Sequence, residues 1–171
     1  MVAFKVLWDS FPNKDEMAKK CVSKQTPSGA QPFDNYCSIL MSECFIKSGI
    51  SLERCSGQKC WSHPGSKHVI RAEQLASWLA KSPPTGFARK LAVQPASFQT
   101  DLSGRSGVIF FKDYWTRGSE SFANRSGDHI DLWNGSRITS TWWMGFREVQ
   151  EWLGFVSDLN KSKEVWFWEV Q

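Results

Sequence analysis

No apolar stretch in this chain approaches the roughly 20 residues needed to cross a bilayer, and Met1-Val2-Ala3-Phe4-Lys5 lacks the basic start and apolar centre of an export signal. Neither a membrane span nor Sec-dependent export is therefore expected. There is also no block of five like charges, because the 21 Lys and Arg are interleaved with the 17 Asp and Glu. A nucleic-acid binder concentrates its positive charge on one face or arm, so that class is not expected either. Internal repeats and low-complexity tracts are absent, which sets aside repeat arrays and disordered linkers.

What is present fits one domain covering residues 1–171, long enough to bury a real core. Tryptophan is the compositional outlier. Seven of the ten, Trp115, Trp133, Trp142, Trp143, Trp152, Trp166 and Trp168, fall in the last third. Core packing accounts for most of them, and a stacking role for one or two beside a site stays open. The five cysteines are an odd number, which allows two disulfides and a free thiol, or a metal site with spare thiols.

Apolar periodicity predicts helices early in the chain. Lys14 to Lys24 carries Met17, Cys21 and Val22 on one stripe, and Thr26-Pro27-Ser28-Gly29 breaks it. Tyr36 to Lys47 places Cys37, Met41, Cys44 and Phe45 at helical spacing, with Asp34 or Asn35 as N-cap and Ser48-Gly49 as its end. Leu52 to His68 reads as loop, and Val69 to Lys81 as a helix closed by Ser82-Pro83-Pro84. Strands follow: Val108 to Phe111, His129 to Trp133, a return through Arg137-Ile138-Thr139 after an Asn134-Gly135 turn, and Val165 to Val170. Met144 to Leu159 is ambiguous. Helices first and strands after signal an α+β fold, with N-terminal helices packed on a small antiparallel sheet.

Cys37 opens its predicted helix, where unpaired backbone N–H groups favour an anion and so place a thiol to act as nucleophile. Those N–H groups would also offer an oxyanion site. About ninety residues later His129 begins a strand, the order used by papain-like hydrolases. Side chains two apart on a strand share a face, so His129 and Asp131 would both face the helix or the cleft, with Ile130 and Leu132 on the other side. Candidates to orient the imidazole are Asp131, and Thr139 or Ser140 on the returning strand. Arg105, Lys112, Asp113, Tyr114 and Trp115 follow the middle strand and are weaker candidates for the cleft border.

The run Asn35-Tyr36-Cys37-Ser38-Ile39-Leu40-Met41-Ser42 resembles the Asn-x-Cys-x-Ile-Arg-Met-Ser segment of type VI secretion amidase effectors of family 4, and Gly127-Asp128-His129-Ile130-Asp131-Leu132-Trp133-Asn134-Gly135 resembles its histidine strand. A glycine-led apolar strand between them, Gly107 to Phe111, and a closing tryptophan strand extend the likeness from Asn35 to Val170. The resemblance implies a papain-like fold of the NlpC type and a cysteine amidase without cofactor or catalytic metal. Its substrate would be the peptidoglycan stem peptide, cut between γ-D-glutamate and meso-diaminopimelate. It further implies delivery by the type VI secretion apparatus into the periplasm of another bacterium, and a cognate immunity protein that blocks the cleft. By the same resemblance the nucleophile falls on Cys37 and the base on His129. The family often has arginine at the position of Leu40, and its orienting aspartate matches Ser140 here; a serine cannot stabilise imidazolium with a full charge. Either Asp131 has taken over or the triad is weaker.

Three other readings compete. Cys55, Cys60, His63 and His68 place four zinc-ligand types in one loop, although a Cys55–Cys60 disulfide is the favoured use of those two thiols, with Cys21 and Cys44 then either a second pair or two buried thiols. A non-catalytic glycan-binding or zinc-containing interaction module would leave Cys37 merely packed. An acyl-transfer use of the same cysteine and histidine is also compatible with the residues.

Overall fold

The computed structural model describes residues 1–139 and 159–171. The first third is helical: α1 (Phe4–Asp9), α2 (Lys14–Lys20) and α3 (Cys37–Lys47), with a small hairpin of β1 (Lys24–Thr26) and β2 (Gly29–Gln31) between the last two. Then come α4 (Ala72–Lys81), β3 (Leu91–Val93), α5 (Phe98–Asp101), β4 (Gly107–Trp115), a single 3₁₀ turn over Phe122–Asn124, β5 (Gly127–Trp133) and β6 (Glu164–Glu169). Strands β3, β6, β4 and β5 form one antiparallel sheet in that spatial order, so β5 is an edge.

Period-two alternation sorts the sheet into two apolar faces. Val108, Phe110, Ile130, Leu132 and Trp168 pack against Leu7 of α1, Met41, Cys44 and Phe45 of α3, and Leu75, Ala76 and Leu79 of α4. Ile109, Phe111, Trp133, Val165 and Phe167 pack on the opposite side with Phe98, Leu102 and Leu159. A third cluster, Met17, Cys21, Tyr36, Ile39 and Cys60, joins α2 and the long loop to the outer side of α3.

The local chemistry explains most of the element ends. Asn13 accepts the Asp15 N–H at 2.7 Å and starts α2. Helix α3 closes in a Schellman arrangement: Gly49, at φ 79°, donates to Ile46 at 3.0 Å and Ile50 donates to Phe45 at 2.8 Å. Helix α2 is shorter than its stripe predicts, ending at Lys20. Ser62 Oγ donates to the Lys20 carbonyl and accepts the Val22 N–H, both at 3.0 Å, which draws the chain out into extended backbone. Residues 24–26 accordingly pair with 29–31, and Pro27-Ser28 forms the hairpin turn rather than a plain break. Among the described residues, the returning segment after Asn134-Gly135 pairs through one bridge, Trp133 with Ile138. The ambiguous segment Met144 to Leu159, except Leu159 itself, lies outside the described residues, as do Trp142, Trp143 and Trp152.

Candidate active site

Cys37 is the first residue of α3, half-buried, and its thiol faces β5, with the Asp128 carbonyl 3.9 Å from Sγ. Asn35 does not sit at the N-cap position, which Tyr36 occupies, yet its Oδ1 accepts the Cys37 N–H at 2.8 Å and so holds the helix start. That bond corrects one expectation: the Cys37 amide is engaged by Asn35 and is not turned outward as an oxyanion donor. Behind the thiol, Ser38 Oγ donates to the Val69 carbonyl at 2.7 Å, tying the first turn of α3 to the residue that follows the long loop.

His129 and Asp131 share one face of β5, as the strand period predicts, but it is Ile130 and Leu132 that pack toward α3 and α4. The two polar side chains lie on the opposite face and meet Cys37 around the edge of the sheet. His129 is hydrogen-bonded to the Cys37 side chain. On its other side, His129 Nε2 lies 3.1 Å from Asp131 Oδ2. Asp131 Oδ1 in turn accepts the Leu132 N–H at 2.8 Å and the Thr139 hydroxyl. Thus Thr139 reaches the site through Asp131, and Ser140 lies outside the described residues. Tyr114 stands edge-on to the imidazole, ring centroids 6.1 Å apart.

Burial disfavours the charged imidazole, but the hydrogen bonds to Asp131 and Cys37 outweigh it and push the His129 pKa up to about 10. The base therefore holds its proton at neutral pH, the form that can protonate a leaving amine.

Two clefts meet at the thiol. One, about 260 Å³, is bordered by Phe11, Lys14, Leu40, His129 and Asp131; the other, about 500 Å³, by Ile70, Arg71, Trp115, Arg117 and Asp128, and both include Asp34, Asn35 and Cys37. A chain lying across Cys37 would have room on either side. Trp115 covers Gly127 so closely that an added Cβ would come within 2.4 Å of its ring, which explains the glycine there. Of the residues considered after the middle strand, Trp115 and Tyr114 border the site. Arg105 instead pairs with Glu169 at 2.8 Å, Lys112 with Glu73 at 3.0 Å, and Asp113 with Lys163 at 3.1 Å. Asp128, which the sequence reading did not single out, braces the border of the larger cleft: its Oδ1 accepts the Asp113 N–H at 3.0 Å across the bulge of β4, while Arg117 lies 3.8 Å from Oδ2.

The profile described as type VI secretion system amidase effector protein 4, Tae4, matches residues 33–168, a span that contains both the thiol and the imidazole. The chain belongs to the Tae4 family. Among solved structures it is similar to the type VI effector Tae4 from Enterobacter cloacae, at 21% identity and TM-score 0.64, covering 100% of this chain and 98% of that one. It is likewise similar to the Tae4–Tai4 effector–immunity system from Salmonella typhimurium, at 19% identity and TM-score 0.60 over 100% and 99% of the two chains. At these identities the structures establish a common fold: helices with small antiparallel sheets. No curated protein matches the chain.

The cysteines are arranged differently from the expected pairing. All five are free thiols. Cys55 packs with α3 and α4, whereas Cys60 belongs to the separate cluster with Cys21, so the expected Cys55–Cys60 disulfide is not formed. Cys21 and Cys44 are two buried thiols, the second of the alternatives left open for them, and Cys44 donates to the Leu7 carbonyl at 3.2 Å. A second group of ligand-type side chains, Cys21, His63 and His68, has its ligand atoms all within 4.8 Å of one another. It lies behind α3, apart from both clefts.

Proposed function

We propose that this Tae4-family chain is a single-domain cysteine amidase of papain-like, NlpC-type organisation that cuts the peptidoglycan stem between γ-D-glutamate and meso-diaminopimelate. The observation that carries the reading is the series Cys37, His129, Asp131, Thr139, each side chain hydrogen-bonded to the next, opening where two clefts meet. With Nε2 engaged by Asp131, the Nδ1 side of the ring serves the thiol. The thiol proton rests on His129, the Cys37 sulfur attacks the amide carbonyl, and the imidazolium passes the proton to the departing diaminopimelate amine. Water activated by the now neutral imidazole then hydrolyses the thioester. Asp131 supplies the full negative charge that stabilises imidazolium, which a serine at position 140 cannot. Arg71 and Arg117 give the larger cleft positive charge for the free carboxylates of the stem.

Membership of a type VI secretion effector family supports a substrate in the periplasm of another cell, reached by that secretion route. The Salmonella typhimurium effector was solved with the immunity protein Tai4, and a corresponding cognate inhibitor would close the clefts here. Incubation with purified sacculi tests the activity. New amino termini on diaminopimelate are expected from the parent protein and from neither Cys37→Ala nor His129→Ala. Equal release by the parent and both variants would overturn the assignment.

A further inference from the structure

Behind α3, side chains from two distant stretches converge: the ligand atoms of Cys21, at the end of α2, and of His63 and His68, from the loop between α3 and α4, lie within 4.8 Å of one another, and Cys60 adjoins Cys21. His68 Nδ1 lies 3.0 Å from Cys21 Sγ and 3.0 Å from His63 Nε2, and Cys60 is hydrogen-bonded to Cys21. Cys21 and His68 have no solvent exposure, while His63 retains 9% and faces the way in.

The outer partners of the two imidazoles determine where their hydrogens are. His63 Nδ1 is 2.9 Å from the Pro64 carbonyl, which only accepts, so Nδ1 carries the hydrogen and Nε2 presents a lone pair. His68 Nε2 is 2.6 Å from the Glu43 carboxylate, so it too donates outward and Nδ1 presents a lone pair inward. Two lone pairs thus face each other across 3.0 Å, with one adjacent thiol proton to share between them. Such a contact requires an electrophile.

We propose that Cys21, Cys60, His63 and His68 form a tetrahedral structural zinc site. Two thiolates and two neutral imidazoles are a closed Zn²⁺ donor set, and ligand bonds of about 2.0–2.3 Å put ligand atoms about 3.3–3.8 Å apart, a small expansion of the Cys21–His68 and His63–His68 contacts, with the Cys60 thiol turning inward from Ser62 Oγ, 3.1 Å away. The Glu43 contact to His68 is the carboxylate–histidine support typical of zinc ligands, and Lys20, 3.4 Å from Glu43, balances that carboxylate. Zinc at this point would clamp the long loop and the end of α2 onto the start of α3. Tyr36, the residue before the nucleophile, donates its hydroxyl to the Cys21 carbonyl at 2.8 Å, and Val69, after His68, holds Ser38. The site therefore underlies the position of Cys37 without touching substrate.

The test is zinc content by mass spectrometry in protein purified with its thiols reduced and supplied with zinc. One zinc per chain is expected, lost in Cys60→Ser and in His63→Ala and kept in Cys55→Ser. Cobalt substitution of the parent protein gives a readout independent of variant folding: a thiolate-to-cobalt absorption band with tetrahedral d–d bands is expected, saturating at one equivalent and displaced by zinc. Zinc absent from the reduced, replete parent protein, a Cys21–Cys60 disulfide surviving reductant, or a cobalt spectrum without thiolate bands would each overturn the proposal. So would zinc retained in both Cys60→Ser and His63→Ala.

Discussion

Two groups in this molecule bring together a thiol, a histidine and a carboxylate, and they differ in what surrounds them. At Cys37, His129 and Asp131 the group opens into clefts, and hydrogen bonds raise the histidine pKa to about 10 despite burial. At Cys21, His68 and Glu43 the group is sealed behind α3, and burial lowers the histidine pKa despite its carboxylate. The same residue types differ in access: on the proposed readings the open set exchanges a proton with a bound amide and the sealed set holds a fixed cation.

The strongest way to break that comparison is to remove the reacting atom. Cys37→Ala is expected to lower the rate of stem-peptide cleavage by at least ~10³-fold with no loss of folded protein by circular dichroism. If cleavage survives, the distinction between the two groups disappears.

Next in size is Asp131→Asn, expected to cost on the order of 10²–10³-fold in kcat, because the imidazolium loses its negative partner. A pH signature accompanies it. A histidine whose folded pKa is raised contributes stability fully below its unfolded value of about 6.5, and that contribution is lost as the pH rises to the folded value, about 10 here. Denaturant unfolding of the parent protein and of Asp131→Asn, followed between those limits, is expected to show a shallower loss in the variant. The alkaline limb of activity is likewise expected to move to lower pH in Asp131→Asn.

Much of the reactive group could be read from the chain because its parts obey local periodicities. Asn35 and Gly49 bracket α3, and the alternation of β5 puts His129 and Asp131 on one side. The orientation of that side was not determined locally. Ile130 and Leu132 have the larger apolar payload and take the face beneath the helices, leaving the polar pair to reach Cys37 around the sheet edge. The buried thiol group was only half legible. Cys60, His63 and His68 are close in sequence, but Cys21 joins them from 39 positions before Cys60, through a loop without any period and a helix cut short by Ser62. Nothing in the stripe of Met17, Cys21 and Val22 announces that interruption.

The buried group is sharpened by Glu43→Gln, which keeps an acceptor for His68 but removes the charge. Zinc affinity is expected to fall by about 10–100-fold in a competition titration against a chelator. An unchanged affinity would mean that Glu43 serves Lys20 and packing alone. The smallest expected effect is that of Thr139→Val, which deletes one neutral donor to Asp131 Oδ1 and leaves the Leu132 N–H in place. A drop of about fivefold in kcat with an unchanged KM, roughly 1 kcal/mol, is anticipated from steady-state cleavage of a defined stem peptide.

Base and carboxylate lie on a single strand with one residue between them, so their alignment needs no tertiary coincidence. It is correspondingly fragile to a change in residue count. Deleting Ile130 alone would make the two neighbours and throw them to opposite sides of the sheet, whereas lengthening the turn at Asn134-Gly135 would leave them aligned. Within residues 127–133 the molecule can tolerate exchanged letters far better than a lost one.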